Sequence, residues 1–291
     1  MKVAPIIHTR TFYCDFNSEF LVRPENFMDS DIKWARKNVL GATGEIDSLQ
    51  GVRWLIVDNE KYRMAGVIGF LKDIFLRCHL SEEEKLNSER LFCDNKGRLV
   101  YAFIGIVIDK HFNDEYGSLT IDYLWKIYLE KICPIWDRKY QEVVLEEFTN
   151  INMELLANKI TREPVVVGSK LFYEANLAMD YELFLELMCN KDKKEFSFCS
   201  NILDFNLVKK SEFSIITTSQ NIITRILREN SIVQNKTKEE ALAREKTSIN
   251  KSELPNIVEC KKKNIVASKI GWMILITIII ILLLIIKMGS N

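Results

Sequence analysis

An acidic cluster that includes one histidine follows the longest predicted strand of the chain. Asp109, His111 and Asp114 lie in the segment 109–115 (DKHFNDE), directly after residues 98–108, which predict that strand. Carboxylates and an imidazole at the end of a strand can bind a divalent metal ion or act in acid–base catalysis. The alternative is a solvated loop, because Asp, Asn and Lys are frequent in loops and their spacing here matches no metal-binding motif. The cluster therefore predicts either a catalytic site, which would suit a metal-dependent phosphoester hydrolase, or a plain loop.

A second carboxylate ends another apolar strand. Asp58 follows the segment 55–57 (LIV). If the strands that end at Asp58 and Asp109 are neighbours and run in the same direction, the two carboxylates share one edge of the sheet and form a paired metal site. The competing interpretation is that Asp58 begins the turn 58–61, for which its residue type is sufficient.

A glycine-containing turn is a candidate site for an anionic ligand. Residues 164–167 (PVVV) predict a strand, and Gly168, Ser169 and Lys170 follow it directly. Backbone amides of such a turn, together with a lysine ammonium, can bind an anion where a helix begins. The segment lacks the spacing GxxxxGK[ST] of a P-loop, so ordinary turn chemistry is the alternative interpretation.

Other kinds of chemistry have little support in the chain. It contains only three histidines, its seven cysteines include no CxxC pair, and no GxSxG motif is present. These features argue against a serine or cysteine hydrolase, a zinc site and a disulfide framework, and they favour reduced cytosolic thiols. The formal net charge of zero gives no reason to expect nucleic acid as a partner. No motif identifies a cofactor.

The elements that must position these residues mix strands and helices. Strands are predicted in two hairpins, with turns at 59–61 and 94–97, and in further segments: 3–16, 52–58, 62–70, 91–108, 196–205 and 212–217. Capping residues and helical periodicity predict helices that begin at 31, 82, 119, 181 and 220. Early hairpins with interspersed helices predict an α+β fold with a mixed, largely antiparallel sheet and packed helices.

A C-terminal apolar run predicts one membrane-spanning helix. Residues 265–286 are interrupted only by one serine, one lysine and one threonine, so the segment 265–287 is long enough to cross a bilayer if Lys269 reaches the headgroups. Trp272 lies where an interfacial aromatic is expected. Four lysines precede the apolar core and one follows it, which predicts a cytoplasmic N-terminal domain: Lys261, Lys262, Lys263 and Lys269 before, Lys287 after. Cys260, beside these lysines, is a candidate lipidation site.

This organisation predicts a tail-anchored membrane protein. Residues 1–229 are expected to form the cytosolic α+β domain, with a division into two subdomains near 135–165 left open, and the charged segment 230–264 is expected to be a linker. The expected function is binding of a partner protein or a small signalling ligand at the membrane surface, as a sensor or effector. A membrane-tethered hydrolase that uses the segment 109–115 is the alternative. The sequence leaves the ligand and the oligomeric state open.

Overall fold

The computed structural model describes residues 1–16, 19–44, 49–81, 85, 88–112, 117–152, 163–189 and 195–232. Within these residues, eleven strands form one mixed sheet with the order β6-β2-β1-β5-β4-β3-β10-β11-β9-β8, and β7 pairs beside β1. The strands are β1 Lys2–Thr9, β2 Val22–Pro24, β3 Arg53–Asp58, β4 Tyr62–Phe70, β5 Tyr101–Asp109, β6 Val144–Glu146, β7 Thr149–Asn150, β8 Val165–Val167, β9 Lys170–Glu174, β10 Ser197–Cys199 and β11 Ile215–Thr218. The sheet and its helices belong to one compact unit, Met1–Val233.

Helices cover both faces of this sheet. They are α1 Asp29–Thr43, α2 Leu71–Phe75, α3 Ile121–Ile132, α4 Leu177–Met188 and α5 Phe205–Lys210, together with residues 220–232, here called α6. Short 3-10 turns occur at Glu89–Leu91 and Cys133–Ile135. The predicted α+β class with a mixed sheet and several helices is therefore confirmed.

The centre of the sheet is antiparallel. β4 pairs with both β3 and β5, and β5 pairs with β1, all in antiparallel register. Gly66 lies opposite Gly105, and a Cβ built on Gly66 would lie 2.3 Å from the carbonyl oxygen of Ile104. Glycine is required there because the backbones approach closely, as the glycines in this strand predict.

Three strands in the C-terminal part of the sheet run parallel to one another. β10 and β9 flank β11 and both pair with it in parallel register. β10 also pairs with β3 in antiparallel register, which joins the two parts into one sheet. Parallel strands need a crossover between them, and α4 and α5 lie in the two connections.

Two apolar cores lie on opposite faces of the sheet. One contains Trp54 of β3 with buried residues of α3 and α4, such as Trp125 and Phe184. The other contains Leu55 of β3 with residues of α1, α5 and α6, such as Val39. Consecutive residues of β3 thus enter different cores, as expected for a strand that is buried on both faces.

Several predicted boundaries differ from the structure because caps lie elsewhere. α3 begins after Thr120 rather than Ser118, and the hydroxyl oxygen of Thr120 accepts a hydrogen bond of 3.2 Å from the amide of Tyr123. α4 begins four residues earlier than predicted, with Asn176 as its N-cap instead of Asp180. The predicted hairpin 91–108 has the expected turn, but its first arm contributes a single bridge between Cys93 and Leu99.

The helix predicted to begin at 31 also starts earlier than expected. α1 begins at Asp29 rather than after Ser30, and the carboxylate of Asp31 accepts a hydrogen bond of 3.0 Å from the amide of Met28. The strand predicted at 3–16 ends at Thr9.

No helix in the described part of the chain is both long and apolar enough to cross a bilayer. The predicted linker after 232 and the predicted anchor, 265–287, lie outside the described residues. The same holds for the residues predicted to meet the membrane, Cys260, Lys261, Lys262, Lys263, Lys269 and Trp272.

Candidate functional site

Asp58 forms a buried ion pair with the residue opposite it on β4. The Nε and Nη2 groups of Arg63 donate hydrogen bonds of 2.8 Å each to the two carboxylate oxygens of Asp58. Both side chains are 1% exposed, and Nη1 of Arg63 also donates to the carbonyl oxygen of Met188 at 3.1 Å. A bidentate guanidinium occupies both carboxylate oxygens and balances their charge. Asp58 therefore acts as a structural partner of Arg63.

Asp109 lies on the other face of the sheet from Asp58. Asp58 is paired in register with Arg63, and Asp109 with the preceding residue, Tyr62. Successive residues of a strand point to opposite faces, whereas residues paired in register share a face. β3 and β5 do run in the same direction, but β4 lies between them. The structure thus does not bring the two carboxylates together as the predicted metal pair.

The remainder of the acidic cluster forms a turn where the structure describes it. A carboxylate oxygen of Asp109 accepts a hydrogen bond of 3.0 Å from the amide of His111, whose side chain is exposed. Asp114 lies outside the described residues. Within the described residues, no group of three or more His, Cys, Asp or Glu side chains is arranged to hold a metal ion.

Gly168 and Ser169 form the tip of a β-hairpin. Val167 pairs with Lys170 across a two-residue turn, and Gly168 has a φ of 61°. The turn leads into β9 and not into a helix, so the helix start that the anion site requires is not there. Nζ of Lys170 donates a hydrogen bond of 2.6 Å to the carbonyl oxygen of Ser211, and burial lowers the pKa of Lys170.

Described members of these predicted sites, including Asp58, Asp109 and Lys170, lie at one end of the strands, and a crevice opens at the opposite end. β3 and β5 finish at the first end, where β9 begins, because the three parallel strands run opposite to the direction of β3. The crevice has a volume of about 640 Å³ and lies where β9, β10 and β11 end. Its walls are Gln50, Gly51, Glu174, Ala175, Asn176, Leu177, Asn201, Leu203, Ser219 and Gln220.

The connections of β9 and β11 explain why the crevice exists. α4 follows β9 and packs on the face of Trp54, with ring centroids of Trp54 and Phe184 4.6 Å apart. α6 follows β11 and packs on the other face through Ile222 and Ile223. The helices that follow the neighbouring parallel strands β9 and β11 therefore pack on opposite faces of the sheet. Such a topological switch point opens a crevice at the carboxyl ends of the strands, which is where open α/β sheets bind ligands.

The floor of the crevice is held by a polar network around Asn201. Its amide Nδ2 donates hydrogen bonds to the carbonyl oxygens of Gln50 at 2.8 Å and Val52 at 3.3 Å. Its own carbonyl oxygen accepts a hydrogen bond of 3.2 Å from Nε of Arg53, which is fully buried. Asn201 has a φ of 54°, and no other described non-glycine residue has a positive φ. Such a conformation costs on the order of 1 kcal/mol and tends to occur at ligand-binding sites.

The helix start at α4 is already capped within the crevice. Oδ1 of Asn176 accepts hydrogen bonds from the amides of Ala178 and Met179, at 3.2 and 3.3 Å. The amide of Asn176 in turn donates to a carboxylate oxygen of Asp180 at 3.3 Å. An anion at this helix start would therefore compete with side chains that already satisfy it.

No family model matches the chain, and no curated protein or solved structure matches it significantly.

The described walls of the crevice are rich in amide and hydroxyl side chains. Among the residues that the structure describes, Glu174 is the one charged side chain of these walls, and they include no histidine, cysteine or cation. Cys199, at the end of β10, is buried, and burial raises the pKa of its thiol to about 12. A thiol with that pKa is almost entirely protonated at neutral pH and is a poor nucleophile.

Sequence reasoning did not predict this site because it did not recognise β9 as a strand. The signal was present as two strand–cap–helix units, one around Asn176 and one around Ser219. Two such units in succession are typical of parallel strands with crossover connections. The sequence predicts the cap at Ser219, but it places Lys170 in an anion-binding turn and begins the next helix at 181, so the strand between them is missed.

Proposed function

We propose that this protein is a tail-anchored membrane protein whose cytosolic domain binds a small polar ligand in the crevice between β9 and β11. The observation that carries the proposal is the crevice itself, about 640 Å³ in volume and placed at a topological switch point. Its volume lies within the range of roughly 300–1,000 Å³ that is typical of small-molecule sites.

The chemistry of the walls favours a neutral or positively charged ligand. Glu174 is the one charged residue among the walls that the structure describes, and the cap at Asn176 already uses the first amides of α4. Side-chain amides and hydroxyls can hydrogen-bond to both donors and acceptors, which fixes the orientation of a polar molecule. A ligand that carries several phosphates would find no balancing cation among the described wall residues.

The membrane location rests on the C-terminal sequence. The apolar segment 265–287 and the excess of lysines before it support a single-pass anchor with a cytoplasmic domain. Ligand binding would then take place beside a bilayer, which suits a sensor or effector. No observation favours the hydrolase alternative, since Asp58 is paired with Arg63 and lies on the face opposite to Asp109.

The test compares two leucine-to-tryptophan variants of the full chain in mild detergent. Leu177 lines the crevice and is 46% exposed, whereas Leu76, at the end of α2, is 69% exposed and is not among the lining residues. Leu177→Trp should fill the crevice, and Leu76→Trp is the matched control.

The readout is the Tm in the presence of a small-molecule extract from the host. A ligand at about one hundred times its Kd stabilises the folded state by about 2.7 kcal/mol. That raises the Tm by roughly 5–10 °C in a domain of this size. We expect the shift in the wild type and in Leu76→Trp but not in Leu177→Trp, and mass analysis of the retained fraction then names the ligand. Equal shifts in both variants, or no shift in the wild type, contradict the proposal.

A further inference from the structure

A second, smaller opening lies at the sheet edge opposite to the crevice. It has a volume of about 260 Å³, with an apolar floor that includes Phe172, Val208 and Ile226. Lys170 and Lys209 stand at its rim. We call this opening the basic groove. An apolar floor bounded by ammonium groups is amphipathic in the way that a lipid-facing surface is.

The elements around the basic groove carry an excess of positive charge. The segments 167–172, 205–212 and 220–232 contain five cations and two carboxylates: Lys170, Lys209, Lys210, Arg225 and Arg228 against Glu212 and Glu229. Glu212 pairs with Lys37, and Glu229 pairs both with Lys209 at 2.9 Å and with Arg225 at 3.7 Å, so the two cations share a single carboxylate. The guanidinium of Arg225 also stacks on Phe205, at 3.6 Å from the ring centroid. The charge surplus therefore surrounds an apolar floor in which Phe172 and Val208 are buried and Phe205 and Ile226 are half-buried.

The last described helix connects the two openings. α6 begins at the crevice and runs back along the sheet, so that its later residues Ile226 and Glu229 line the basic groove. The chain thus leaves the described domain at the groove edge. The sequence that follows contains three consecutive lysines, Lys261–Lys263, and then the apolar segment 265–287.

We propose that the basic groove rests on an anionic lipid surface, with lipid phosphates beside Lys209, Lys210 and Arg225 and the apolar floor against the glycerol region. This inference rests on the proposed membrane anchoring. It also gives the domain an orientation, because the crevice at the opposite edge then faces the cytosol and stays accessible to its ligand. Basic side chains near an anionic leaflet each strengthen the contact about fivefold, and high salt weakens it.

The test uses the full chain in lipid nanodiscs and measures backbone hydrogen exchange. One disc contains phosphatidylcholine alone, and the other contains about one-third phosphatidylserine. The wild type is compared with Lys209→Gln/Lys210→Gln, which removes two charges beside the groove. Lys72→Gln/Lys126→Gln removes two exposed charges from other parts of the surface and is the matched control. The ion pair of Lys209 is exposed, so its loss should leave the fold intact.

We expect residues 205–210 and 224–230 to be protected in anionic discs and not in neutral discs. The groove variant should lower the lipid-bound population about 25-fold, at fivefold per charge, and lose the protection, whereas the control variant keeps it. Salt at about 1 M should remove it in all samples. Equal exchange in both kinds of disc, or equal protection in both variants, overturns the inference.

Failure of this inference can be distinguished from failure of the proposed function. A chain that enters the discs and binds its crevice ligand but shows no lipid-dependent protection overturns the lipid contact alone. A chain that does not enter the discs overturns the anchor and, with it, the lipid contact. Loss of the ligand-dependent Tm shift concerns only the crevice.

Discussion

Acidification should destabilise the domain through one buried histidine. His8 lies on β1 and is 4% exposed, and its ring stacks on Phe16 with ring centroids 5.1 Å apart. Its Nδ1 has no hydrogen-bond partner among the described residues. Burial first, and the positive charge of Arg36 second, lower the pKa of His8 from 6.5 to about 4. The folded protein therefore keeps this imidazole neutral at pH values where an unfolded chain would protonate it.

The sign and size of the effect follow from proton linkage. Between pH 6.5 and pH 4 the unfolded state binds a proton at His8 that the folded state does not, so the free energy of unfolding falls as the pH falls. The contribution of His8 is fully present above pH 6.5. Each pKa unit corresponds to 1.36 kcal/mol, so the loss reaches about 3 kcal/mol at pH 4. Asp94, whose pKa is lowered to about 2 by hydrogen bonds that outweigh the opposing effect of burial, begins to lose its contribution near pH 5, and this small loss is common to all variants.

The assay is chemical unfolding of the full chain in mild detergent at pH 7, 5.5 and 4. His8→Gln removes the titrating group, and His79→Gln is the control because the side chain of His79 is 90% exposed. We expect the wild type and His79→Gln to lose about 3 kcal/mol more than His8→Gln between pH 7 and pH 4. The comparison uses the change with pH in each variant, so a general loss of stability in His8→Gln does not affect it. An identical pH dependence of wild type and His8→Gln would refute the reasoning.

Three further predictions concern packing, the buried ion pair and topology. Gly66→Ala should lower the free energy of unfolding by at least about 1–3 kcal/mol, because the new Cβ would lie 2.3 Å from the carbonyl oxygen of Ile104. The control is Gly41→Ala in helix α1, where a Cβ would meet nothing within 4 Å, so this variant should be neutral or stabilising. Similar unfolding midpoints of the two variants would contradict this prediction. Asp58→Asn leaves the buried guanidinium of Arg63 without its carboxylate and should cost about 3–5 kcal/mol in urea unfolding, and a cost below 1 kcal/mol would show that the pair is not desolvated. The predicted linker contains two N-glycosylation sequons, at Asn235 and Asn250. In a microsomal translation system both should stay unglycosylated while the chain resists carbonate extraction. Glycosylation of either would instead place the linker in the lumen.

Local signals in the sequence were sufficient for many elements of the fold. β4 matches the predicted bounds 62–70, and β3 matches within one residue, because apolar runs bounded by turn residues specify strands. The amphipathic pattern of α3 likewise predicted its buried face, including Trp125 and Tyr128. These features depend on neighbouring residues along the chain and can be read from them.

The register between paired strands determines on which face of the sheet each carboxylate lies, and this could not be predicted from the sequence. Asp58 and Asp109 both end apolar strands. Asp58 pairs with Arg63 and Asp109 pairs with Tyr62, so the two carboxylates lie on opposite faces of the sheet. A shift of one residue in the register would reverse the face, and such a shift depends on contacts between strands that are distant in sequence. The predicted metal pair could therefore not be judged from strand ends alone.

The sequence by itself determined the mixed α+β class and the buried runs, and it supplies the apolar C-terminal segment on which the proposed anchor rests. Only the tertiary structure decided where a ligand can bind. The turn at Gly168 leads into β9, which pairs with β11, and the chain after each strand crosses to a different face of the sheet. The crevice exists because of that divergence. Its walls come from four separate segments of the chain, so no local pattern of residues predicts the crevice.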